Sequence, residues 1–170
     1  MEITSDILLK GTAWNRAIDE LGVFFEPKRN YNLYMLSLAI GIMYDKRIEN
    51  PEENGEEHRS VPRNVIANSD NGKLDFYFQA AILSTRTENF SEDRRLELAF
   101  GENEKIDFNK IGFLSQFANF GITKLVDLIG TTELESMENI KNFFVSTVEG
   151  RNLEIDSISD DILLEDMGQI

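Results

Sequence analysis

His58 is the only imidazole in the chain and stands among Glu56, Glu57 and Arg59. A general base needs a positioned partner and a desolvated pocket, and this run of charged neighbours predicts neither. The acidic pairs Glu52-Glu53, Glu92-Asp93 and Asp160-Asp161 are the next groups to weigh. Adjacent carboxylates can bind magnesium, and a metal-dependent nuclease needs such acids, with a lysine, on rigid elements. Each pair falls in a loop, a helix cap or the C-terminal segment, where solvated charge is the ordinary reading. With no cysteine in the chain, disulfides, thiolate catalysis and thiolate-held metals are excluded, and a lone histidine excludes an imidazole cluster. Asn68-Ser69-Asp70-Asn71-Gly72 comes near a calcium-loop pattern. Setting Gly72 at the loop's turn position puts Ala67 first and Phe78 last, and neither can bind calcium. Phosphate-binding glycine loops and the nucleophile elbow have no match. The sequence predicts no catalytic residue, no cofactor and no metal site.

Four cations carry the remaining chemistry. Lys46 and Arg47 directly follow a strongly apolar stretch, while Arg59 and Arg63 stand beyond an acidic string. The first pair suits the negative end of a helix dipole. The second reading gathers Lys46, Arg47, Arg59 and Arg63 into one positive patch able to meet a partner's carboxylates or a few phosphates. Acidic residues number 31 against 17 basic ones, a formal charge of −14. Such a balance repels phosphate backbones at long range. Contact with nucleic acid is therefore expected only indirectly or weakly, through this patch, once a partner holds it there.

The elements that position these groups read as helices. At 170 residues and 41% hydrophobic the chain can bury one sizeable core. Thr12 to Phe24 places Trp14, Ala17, Ile18 and Leu21 on one helical face, with Thr12 as cap. Asn30 is the expected cap of Tyr31 to Tyr44, where eleven of fourteen residues are apolar, so this helix should be the buried centre. Residues 46–64 hold Pro51, Pro62 and Gly55 among charges and read as an exposed loop, with a short extended piece over Val61 to Ala67. Asn71-Gly72 followed by Leu74, Phe76 and Phe78 is a hairpin pattern. The longer run Leu74, Tyr77, Phe78, Ala81, Ile82 favours a helix capped by Ser69 or Asp70. Ser91 opens a helix ending at Gly101. Asp107 should cap Phe108 to Asn119, with a break or kink at Gly121 before Ile122 to Ile129. Thr132 caps Glu133 to Val148, whose apolar stripe is Met137, Ile140, Phe143, Phe144 and Val148. The expected fold is all-α, a compact bundle of about six helices over 1–150 with an acidic C-terminal tail.

That tail, 151–170, carries six acids against Arg151, interleaved with Ile155, Ile158, Ile162 and Leu163. Regular apolar residues in an acidic segment suit docking on its own domain or in a partner's groove. Phe24-Phe25 and Phe143-Phe144 point adjacent aromatics in different directions on a helix. Phe25 and Phe144 are therefore candidate partner contacts, beside the four tail residues. The longest strongly apolar stretch spans roughly 21 Å against a bilayer core of about 30 Å, so no membrane span is expected. The Met1 end carries Glu2 and Asp6 rather than a basic patch, and a cytoplasmic setting is the plain reading.

Two stretches carry a family resemblance. Leu38-Ala39-Ile40-Gly41 followed by Asp45-Lys46-Arg47 is similar to an apolar helix ending in a glycine and then a Lys-Arg pair. Phe117-Ala118-Asn119-Phe120-Gly121-Ile122, with Leu125 after it, is similar to an aromatic-Ala-Asn-Gly-Gly-hydrophobic segment. With the Leu74 to Leu83 helix between them, they resemble small accessory proteins beside bacterial DNA-phosphorothioation (Dnd-type) defence loci, over about Tyr31 to Gly130. The chain departs at Phe120, where a first glycine is expected, and at Asp45 before the Lys-Arg pair. The resemblance implies an antiphage-defence setting and a non-catalytic component, with no catalytic residue to carry over. The resulting expectation is a cytoplasmic interaction subunit of a larger defence or DNA-processing complex. The alternative is a partner-held module touching DNA through the four cations.

Overall fold

The computed structural model describes residues 3–51, 58–101 and 107–150. Its helices assemble around the crossing of two of them. α2 (Arg29–Tyr44) buries Tyr31, Leu33, Tyr34, Leu38 and Ile40, and α6 (Lys110–Val126) buries Phe113, Leu114, Phe117, Ala118, Ile122 and Leu125. The two pack antiparallel at backbone distance. A Cβ placed on Gly41 would overlap the carbonyl of Phe117, and one placed on Gly121 would overlap the carbonyl of Ser37. α6 therefore runs unbroken through Gly121. The expected break is absent: the helix is continuous from Lys110 to Val126, and that glycine serves close approach between helices. Ser37, fully buried at the same crossing, returns its hydroxyl to the carbonyl of Leu33 in its own helix, 2.8 Å away.

Around this pair stand α1 (Thr12–Leu21), α3 (Arg63–Ser69), α4 (Lys73–Ser84), α5 (Glu92–Phe100) and α7 (Glu133–Val148). The described residues thus form an all-α bundle of seven helices, with one two-stranded ribbon. Trp14, Ala17, Ile18 and Leu21 form the buried face of α1 as their spacing predicts. The helix stops at Leu21, and Gly22–Phe25 tighten into a 3₁₀ turn. Gly11 precedes the first turn, so Thr12 lies inside the helix rather than capping it. α2 likewise starts before Asn30, because Asn32 N–H already reaches the carbonyl of Lys28 at 2.9 Å. The Asn30 amide instead donates to the carbonyl of Ser60 at 2.7 Å.

That bond leads to the part of the fold local patterns did not predict. β1 (Ile7–Leu9) pairs antiparallel with β2 (Arg59–Val61), Ile7 opposite Val61. The segment after Val61 is α3 and not extended chain. Pro62 presets the backbone before it, and Asp6, just before the partner strand, accepts the Arg63 N–H at 2.8 Å. The expected loop over 46–64 is correspondingly narrower. Ile48 N–H bonds the carbonyl of Gln116 at 2.9 Å, and Asn119 donates to the carbonyl of Ile48 at 3.1 Å, tying that segment to α6.

α4 is the helix, not the hairpin, with Asp70 accepting from the N–H groups of Gly72 and Leu74. α5 opens at Ser91, whose hydroxyl accepts from Arg94 N–H, and ends before Gly101. α6 is capped by Asn109, which accepts from Gly112 N–H at 2.8 Å, rather than by Asp107. The core links Trp14 and Tyr34, stacked with centroids 6.3 Å apart, to a chain of rings through Phe78, Phe108, Phe113 and Phe117. Tyr34 is wholly enclosed, its hydroxyl 3.2 Å from that of Ser115, and burial pushes its ionisation far up. Burial and the neighbouring Asp70 carboxylate push Tyr31 up to about 12. An unfolded tyrosine ionises near about 10, so above that pH the unfolded chain releases protons that the folded one retains. The contribution of these two phenols is complete below about pH 10 and is lost as pH rises toward 12. Denaturant titrations at stepped alkaline pH should show the midpoint falling in that window, with less fall in Tyr31→Phe.

Candidate interaction surface

The four cations separate into two places. α2 ends in a left-handed residue, Asp45 (φ 49°), with Lys46 N–H returning to the carbonyl of Gly41 and Asp45 N–H to that of Ile42. Asp45 then accepts from the Thr85 hydroxyl at 2.6 Å and from Arg86 N–H at 2.7 Å, joining the end of α2 to the end of α4. This reversal sends Arg47 back along α6. Its guanidinium lies 5.0 Å from the centroid of Phe113 and 5.5 Å from that of Phe117, and pairs with Glu88 at 2.6 Å. Only 12% of its side chain is exposed. Arg47 is thus an internal tie and not part of an open basic patch, because the turn folds it inward. Lys46 remains exposed, 6.0 Å above the Phe120 ring. Arg59 reaches Asp19 on α1 at 3.5 Å, and Arg63 donates to the carbonyl of Thr4 at 3.3 Å. Lys46 and Arg47 therefore belong to α6, while Arg59 and Arg63 belong to the ribbon and the N-terminal segment.

Acid-base chemistry finds no assembled site among the described residues. His58 is exposed beside β2. Glu92 and Asp93 occupy the first turn of α5, where they favour its dipole. No described group of three or more histidines or carboxylates could hold a metal ion. A cleft of about 290 Å³ opens between the start of α1, residues 48–51 and α6. Trp14 is among its lining residues and donates to Asn119 at 3.0 Å, and Lys10 is the one ionisable side chain among them.

Phe24 and Phe25 are both half-buried against the core, and Val23 is the exposed member of that 3₁₀ turn. Phe143 and Phe144 are also half-buried, their rings edge to face at 5.4 Å. Ile155, Ile158, Ile162 and Leu163 lie outside the described residues.

What comes to the surface is the far side of α7. Thr132 caps this helix by accepting from Glu135 N–H at 3.1 Å, and the Glu135 carboxylate accepts from the N–H and hydroxyl of Thr131. Those bonds hold Glu135 below the usual carboxylate range. Ser136 and Asn139 bond back to residues 128–132, and Ile140 and Phe143 pack on the core. α7 is therefore fixed along one side. On the other, Leu134 is 67% exposed, Met137 51%, Val145 45% and Val148 88%. Met137 and Val148, expected in the core stripe, face outward instead. The sequence carries the signal for this: positions 134, 137, 141, 144 and 148 repeat at 3-4-3-4 spacing, a seam of their own beside the core-facing residues. Replacing the cap, Thr132→Ala, should cost about 1 kcal/mol in denaturant unfolding.

The described residues thus define an all-α bundle in which α7 presents an apolar outer stripe. Comparison of the chain with protein-family models, curated proteins and solved structures finds no match. Among the described residues no helix is long and apolar enough to cross a membrane.

Proposed function

We propose that this protein is a non-catalytic interaction subunit of a cytoplasmic bacterial assembly, in an antiphage-defence or DNA-processing setting. The observation that carries the interaction role is the outer face of α7, where four large apolar side chains stand exposed on a helix already anchored by its other side. Exposed apolar side chains gathered on one helix face point to an association site. The defence setting rests on the resemblance of the α2 and α6 sequences to accessory proteins of DNA-phosphorothioation loci. The DNA-contact alternative keeps Lys46, Arg59 and Arg63 as exposed cations and loses Arg47.

Affinity isolation of the tagged protein from its native host, at low and moderate salt, tests the reading. Defence or DNA-processing proteins should co-purify and be identified by mass spectrometry. A lone monomer at both salts would overturn it and turn attention to the cleft beside Trp14.

A further inference from the structure

We propose that the outer stripe of α7 docks a cationic amphipathic helix of a partner protein. The inference rests on the subunit reading and gives that partner a chemistry. At about 100° per residue, Leu134, Met137, Lys141, Val145 and Val148 fall on one side of α7, with half-buried Phe144 at its edge. This is the spacing with which one helix receives the apolar side chains of another. Ser136, Ile140 and Phe143 hold the opposite side to the body, so the stripe is presented already ordered, and little further ordering opposes binding.

Charge selects the occupant. On α7 and directly after it, Glu133, Glu135, Glu138 and Glu149 stand against Lys141 alone. Glu133 and Glu138 flank the stripe itself. A partner helix with apolar residues on one face and lysines or arginines along its edges meets both features. A second copy meets neither well. Antiparallel pairing centred on Lys141 would set that lysine against itself and bring Glu133 and Glu135 near Glu149, between molecules each at −14. The chain's own tail would lay six acids along a helix that is already acidic.

The test uses the full-length protein and a labelled synthetic helix about four heptads long, with leucine at the seam positions and lysine at the flanks. Fluorescence anisotropy should show binding that weakens with salt. A peptide of the same composition with its leucines scattered should bind at least about tenfold more weakly, and so should one with glutamate flanks. The variant Leu134→Asn/Met137→Asn/Val148→Asn changes exposed side chains only, so its thermal melt should match wild type. Its affinity for the cationic helix should fall about tenfold or more.

Equal binding of the scattered peptide, no binding, or an unchanged affinity in the variant would overturn the inference. Concentration-dependent dimerisation in sedimentation, abolished by the same variant, would assign the stripe to a second copy and overturn it as well. The host isolation separates the two levels. Proteins that co-purify equally with wild type and variant would leave the subunit reading standing and remove this surface. Isolation of neither with any protein would remove the subunit reading itself.

Discussion

Gly121→Val should unfold the protein more readily than any cap substitution, with a loss of about 3 kcal/mol or more and a melting temperature roughly 6–12 °C lower. The cause is backbone against backbone. The new Cβ would enter the space of the Ser37 carbonyl, and no side-chain rotation can relieve a clash whose other member is main chain. The helices must separate, loosening Leu38, Phe117, Ala118 and Ile122, all essentially without exposure. Gly41→Ala should act in the same direction, since its Cβ would meet the Phe117 carbonyl one helical turn away along the same crossing. One separation serves both substitutions. The double variant Gly41→Ala/Gly121→Ala should therefore lose less than the sum of the single losses. Denaturant unfolding of the four proteins measures this. Strict additivity would mean that the two glycines act at independent places and that the crossing is not the shared constraint.

The same crossing shows what the sequence could and could not display. Ser91 and Thr132 bond to N–H groups three residues ahead, so the starts of α5 and α7 are local events written in local residues. The buried face of α1 follows in the same way from the spacing of Trp14, Ala17, Ile18 and Leu21. Gly121 carries no local mark of its role. A glycine that breaks a helix and one that admits a neighbouring backbone look alike until Ser37 is placed beside it. β1 and β2 are three residues each and about fifty residues apart, so neither has a pattern long enough to register. α3 begins at Arg63 because Asp6, remote in sequence, accepts its N–H. On α7, the apolar residues divide between two sides, and only the position of the body decides which side is covered. The spacing held both seams; contact with the core chose between them.

Arg47→Ala is the second large effect, a loss of about 2–3 kcal/mol in unfolding, against a change within about 0.5 kcal/mol for Lys46→Ala. Arg47 fills the space beside Phe113 and Phe117 with its guanidinium while Glu88 supplies the opposing charge. Truncation removes the packing and leaves the partly covered carboxylate without its partner. Arg47→Met keeps most of the packing and should lose less than Arg47→Ala, whereas loss of the charge alone would make the two equal. Thermal melts of the three variants decide this, and the answer determines how the DNA-contact alternative can be tested. Neutralising all four cations would confuse a weakened fold with a lost phosphate contact. The informative variant is Lys46→Ala/Arg59→Ala/Arg63→Ala with Arg47 retained. In the assembled complex, a DNA-contacting module should then lose affinity for every sequence alike, and its salt dependence should flatten by about one unit per lost phosphate contact. Unchanged DNA affinity and slope in that variant would end the DNA-contact alternative and leave these basic residues with their local partners on α1, α6 and the N-terminal segment.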